Sequence, residues 1–78
     1  MSTLGDNVKF LREAKGLTQQ ELADAIGVTD GSVWSWEQNG VIPRMGAIEK
    51  LSQFFNIPKT VLLDGDASKI STIMDPDA

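Results

Sequence analysis

The sequence predicts an all-α fold, a compact bundle of five short helices in one domain. Three observations predict it. Apolar residues recur at i, i+3, i+4 and i+7, and no stretch alternates in the manner of a strand. Start residues (Thr18, Thr29) and stop residues (Gly16, Gly27, Asn39-Gly40) punctuate that pattern at short intervals. The length, 78 residues, allows a single core.

Taken in order, residues 4–15 place Leu4, Val8 and Leu11 on one helical face. Lys15-Gly16 supplies a basic last turn and a glycine stop. Thr18 followed by Glu21 forms a capping box, so a second helix starts at Gln19. Leu22, Ala23 and Ile26 are its inner stripe, and Gly27 ends it. Thr29 caps a third helix running to about Gln38. On that helix Val33, Trp36 and Glu37 share one face. Gly31, Trp34, Ser35 and Gln38 share the other, with Asp30 at its edge. A fourth helix spans residues 44–55 after Pro43 and buries Ile48, Leu51, Phe54 and Phe55. Pro58, at a first helical position, and Gly65 bracket a short fifth helix with Val61, Leu62 and Leu63. Residues 1–65 thus form the domain, and residues 66–78 read as a flexible acidic tail or linker.

Composition narrows the function. There is no Cys and no His, so disulfides, thiolate metal sites, the usual catalytic base and the commonest metal ligand are all missing. No enzyme, metal or cofactor is expected. No apolar run approaches the ~20 residues that span a bilayer, and the N-terminus is too polar for a secretory signal, so a cytoplasmic protein is the default. Net charge is −4. Asp64, Asp66, Asp75 and Asp77 against Lys69 give −3 of it, so residues 1–63 carry only −1. A nucleic-acid binder would more commonly show a basic patch.

The join between the second and third helices is the most informative feature. A turn of three or four residues forces two helices to cross steeply. Ala23 is small where the backbones approach, Gly27 makes the turn, and Val33 and Trp36 brace the third helix against the core. Through "LREAKGLTQQELADAIGV", "SVWSWEQNG" and "IEKLSQFFNIP" the sequence resembles the Cro/C1-type helix-turn-helix family of phage repressors and bacterial regulators. The resemblance covers residues 5–65 and implies a lambda-repressor-like bundle. It also implies sequence-specific binding of double-stranded DNA as a transcriptional regulator, with a repressor as the expected kind. The third helix would lie in the major groove, and a homodimer would bind a palindromic operator. Arg12 and Glu37 match a partly buried ion pair of the family. Asp30 and Gly31 depart from it, standing where relatives most often carry base-reading Gln, Arg, Ser or Lys. Trp34 stands where a smaller polar residue is usual.

The candidate DNA contacts are Thr18, Gln19, Gln20, Thr29, Asp30, Gly31, Ser32, Trp34, Ser35, Gln38, Asn39 and Arg44. Thr18 and Gln19 open the second helix, where backbone N–H groups and the helix dipole suit a phosphate; simple capping is the alternative. Asp30 could accept from a cytosine amino group, or only stabilise the helix start. Gly31 lets the helix sit deeper in a groove, or merely loosens its first turn. Trp34 packs on thymine methyls or sugars, anchors a protein partner, or has no role. Ser32, Ser35, Gln38 and Asn39 suit hydrogen bonds to bases and phosphates, and Arg44 suits a phosphate clamp. The competing function is a protein-interaction module on the same fold. A longer parent protein with a C-terminal effector domain is compatible with either.

Overall fold

A computed structural model of the chain describes residues 4–65. Its helices are α1 (Leu4–Ala14), α2 (Gln19–Ile26), α3 (Asp30–Gln38), α4 (Met45–Phe55) and α5 (Lys59–Asp64). No strand occurs among the described residues. The tail expected at residues 66–78 lies outside them.

The capping chemistry read from the sequence sets the helix limits. Glu21 N–H donates to Thr18 Oγ1 at 3.0 Å, and Thr18 N–H donates to Glu21 Oε1 at 2.8 Å. Gly27 adopts φ 76°, a left-handed conformation that other residues rarely take, and its N–H closes on Ala23 O. Thr29 then caps α3 by accepting from Ser32 N–H at 3.2 Å. Two boundaries move by one residue. Arg44 is the N-cap of α4 rather than part of it, and Pro58 is the N-cap of α5 rather than its first helical residue.

The core gathers Leu4, Val8 and Leu11 from α1, Leu22, Ala23 and Ile26 from α2, and Val33 and Trp36 from α3. Ile48, Leu51 and Phe55 join from α4, then Ile57 and Leu62. Three expected core residues are only half-buried: Phe54, Val61 and Leu63. Phe54 sits at the rim because its ring packs edge-on against Phe55, centroids 5.1 Å apart, while the Lys15 ammonium lies 5.5 Å from its centroid. An aromatic ring at the rim can stack on a cation that the core would exclude. In its place the loop residue Ile57 is buried, and Ser52 Oγ donates to its carbonyl at 2.6 Å.

Two contacts lock α1 in place. Asn7, 1% exposed, donates from Nδ2 to Leu62 O at 2.9 Å and Gly65 O at 3.0 Å, so a buried amide holds the end of α5. Gly5 lies directly against α3: a Cβ there would fall on the Trp36 carbonyl oxygen. α1 therefore approaches α3 backbone to backbone, and this fixes the platform from which α3 projects.

Candidate nucleic-acid interface

α3 is held from beneath and open above. Val33 is fully buried and Trp36 is 5% exposed, whereas Trp34, rotated to the other face, is 49% exposed. Asp30, Gly31 and Gln38 are exposed around it, and Ser32 and Ser35 are half-buried at the margins. Trp34 thus stands outward on a helix that the core grips by its opposite side.

The end of α3 is tied to two other elements through one carboxylate. Arg12 donates from Nε to Glu37 Oε2 at 2.8 Å and from Nη2 to Glu37 Oε1 at 3.0 Å. A third Arg12 bond, from Nη1, reaches Leu17 O at 2.7 Å in the turn before α2. Gln19 Nε2 donates to Glu37 Oε1 at 3.1 Å. The hydrogen bond to Glu37 raises the Arg12 pKa above its ordinary value, with burial opposing it. The paired carboxylate ties the start of α2 to the end of α3.

At the start of α2 the capping box already uses one of the candidate donors. The Thr18 N–H is taken by the Glu21 carboxylate, because the capping box closes on both sides. The donors left for an outside acceptor are the N–H groups of Gln19 and Gln20, in the first turn, which no residue in the helix can satisfy. The Gln20 side chain is used locally, Nε2 donating to Asp24 Oδ1 at 2.8 Å. At the start of α3 the Thr29 and Ser32 hydroxyls lie 3.0 Å apart and share one hydrogen bond.

Beyond α3, Asn39 caps the helix and Gly40 turns the chain at φ 69°. Val41 N–H returns to Ser35 O at 3.3 Å, folding the loop against α3. Between this loop, α3 and α4 lies a groove of ≈ 680 Å³, lined by Thr29, Ser32, Arg44 and Lys50 among others. The exposed Arg44 sits at an α4 start that has no side-chain cap. Arg44 and Lys50 thus share one groove with Thr29 and Ser32 at the start of α3. No cluster of acidic residues suited to a metal occurs among the described residues, and no helix there is long and apolar enough to cross a membrane.

A helix-turn-helix family model matches residues 8–62. The chain belongs to the Cro/C1-type helix-turn-helix family. It is 29% identical over 63 residues to the cryptic phage CTXphi transcriptional repressor RstR of Vibrio cholerae, covering 81% of this chain and 57% of RstR. It is 31% identical over 61 residues to the transcriptional activator BcrR of Enterococcus faecalis, covering 78% and 30%. The N-terminal DNA binding domain of SinR from Bacillus subtilis superimposes with TM-score 0.72 at 32% identity, covering 78% of this chain and 90% of that one. The chain spans from 28% to 57% of the length of the curated relatives it matches.

For a member of this family, sequence reasoning missed three residues that build the platform: Gly5, Asn7 and Ile57. Only Asn7 carried a usable signal, a polar residue on the apolar stripe beside Leu4, Val8 and Leu11. Lys50, in the groove beside Arg44, was missed because it lies a turn and a half along α4 and reaches the groove only through helix packing.

Proposed function

We propose that this chain is the sequence-specific, double-stranded-DNA-binding part of a transcriptional regulator, with α3 in the major groove. The observation that carries the reading is the two-sidedness of α3. Val33 and Trp36 are sunk in the core, while Asp30, Gly31, Trp34, Ser35 and Gln38 face outward. Those residues would meet base edges, with Trp34 adding apolar contact. The Gln19 and Gln20 N–H groups, the Thr29 and Ser32 hydroxyls, Asn39 and Arg44 would set register on phosphates. Thr18 serves the phosphate contact through capping. A homodimer on a palindromic operator belongs to the same reading, and the spacing of the half-sites would report its geometry. Repression is the direction favoured by RstR, and BcrR shows that a relative can activate.

The test is selection of bound duplexes from a random pool. A palindromic consensus supports the reading, and no enrichment overturns it. A second reading has its own observation. Val41, Ile42 and Met45 are 49%, 65% and 61% exposed, as large an apolar display as Trp34 makes. Such residues could anchor a protein partner. Amide shifts on adding mixed duplex DNA at low salt decide between the two. Shifts confined to residues 18–20 and 29–44 favour DNA, and silence favours the protein partner.

A further inference from the structure

The chain holds three asparagines, Asn7, Asn39 and Asn56, and the fold treats each differently. Asn7 lies inside α1, 1% exposed, with its amide bonded to Leu62 O and Gly65 O. Asn56 is exposed, but the β-branched Ile57 follows it, buried and donating its N–H to Ser52 O at 3.0 Å. Asn39 is exposed and is followed by the exposed Gly40. The Gly40 N–H makes no hydrogen bond among the described residues, and the space beside its Cα is open.

The fold needs one member of this pair and not the other. Gly40 turns the chain at φ 69°, where other residues are strained. Asn39 sits at φ −109°, a value open to any residue, and its side chain makes no hydrogen bond among the described residues. Its backbone N–H donates to Ser35 O at 3.0 Å, which holds the chain on the helix side. Rotation about the Asn39 ψ swings the Gly40 nitrogen towards the side chain. Against that rotation stands one long bond, Val41 N–H to Ser35 O at 3.3 Å.

We propose that Asn39-Gly40 is a self-modifying site, where succinimide formation converts Asn39 to a carboxylate and thereby weakens duplex binding. The Gly40 nitrogen loses its proton to solvent base and attacks Cγ of Asn39, forming a C–N bond. The bond from Cγ to the side-chain nitrogen breaks, and that nitrogen leaves as ammonia. Water then opens the ring at either carbonyl, giving aspartate or isoaspartate. Overall one water is consumed and one ammonia is released. The chemistry stands by itself, and its effect on binding rests on the duplex-reading assignment above. A carboxylate at this position removes an N–H donor from the phosphate flank, repels phosphate and opposes the dipole at the end of α3. Isoaspartate also adds a carbon to the main chain between α3 and the turn.

The experiment ages the full 78-residue chain at mildly alkaline pH, in buffer and in urea. Trypsin places the three asparagines on separate peptides, so mass spectrometry reads each one independently. The folded chain should exchange NH2 for OH on the Asn39 peptide, with the Asn7 and Asn56 peptides unchanged. Affinity for the duplex selected from the random pool should fall with the converted fraction. Full conversion should cost about tenfold, the worth of one hydrogen bond to a charged group. Asn39→Asp should bind that weakly from the start. Asn39→Gln, which would have to close a larger and slower ring, should hold its own starting affinity throughout. An Asn39 that converts in urea but not in the folded chain overturns the proposal. Conversion with unchanged affinity overturns it too, and leaves duplex reading intact. A pool that yields no duplex overturns the duplex reading and the effect on binding, while the peptide masses still decide the chemistry.

Discussion

Arg12 and Glu37 form a two-pronged ion pair, 2.8 Å at its shorter contact, between α1 and the last turn of α3. The Glu37 side chain is fully buried and that of Arg12 is 11% exposed. Removing one partner strands the other charge where water reaches it poorly. Glu37→Ala should therefore cost about 3–5 kcal/mol, and lower the melting temperature by roughly 12 °C or more. DNA affinity should fall with it, because Gln19 loses its acceptor at the start of α2. A thermal melt of the variant checks this, and a transition unchanged from the parent would show that the pair carries no stability.

Asn7 closes the other end of α1 onto α5. Asn7→Ala leaves the Leu62 and Gly65 carbonyls without their shared donor, at a cost of about 1–3 kcal/mol. Because both acceptors lie at the end of α5, that helix should loosen first. Native-state amide exchange should speed up most strongly at residues 61–65, and uniform acceleration along the chain would contradict a local role.

Arg44 is the test of the phosphate flank. Arg44→Ala should weaken binding about equally for specific and mixed duplexes, and reduce the salt slope by about 1 per protomer. With Arg44 and Lys50 the cations lining the groove, the parent slope itself should be shallow, about −2 per protomer in log K against log salt. A dimer slope near about −8 would mean that other cations neutralise the backbone.

Stability should be nearly flat around neutrality. The Arg12 pKa is raised by its hydrogen bond to Glu37, so its contribution is complete below the unfolded value and is lost only as pH climbs through the folded one. Both values lie far above neutrality. At the acid end, the hydrogen bond and charge of Lys59 lower the Glu49 pKa. That contribution is present above the unfolded value and fades as pH falls through the folded one. The pair is exposed and screened, so the loss is small. With no His in the chain, melting temperatures should agree between about pH 6 and about pH 8, and decline only below about pH 4.5. A steep change near pH 7 would overturn this assignment.

The five helices, the caps of α2 and α3 and the outward turn of Trp34 were legible in the sequence because each depends on residues within one or two helical turns. Thr18 and Glu21 close on each other, Gly27 breaks its own helix, and the rotation between Trp34 and Trp36 is set by helix geometry alone. The family pattern added the Arg12–Glu37 pairing. Only the folded chain decided the rest. The Asn7 bond to Leu62 crosses fifty-five positions, Gly5 is required by the backbone of α3, and Gln19 is held by a carboxylate eighteen residues away. Local rules act along the chain and can be read from it. Contacts between distant segments depend on how the helices dock, and that is settled by packing the core as a whole.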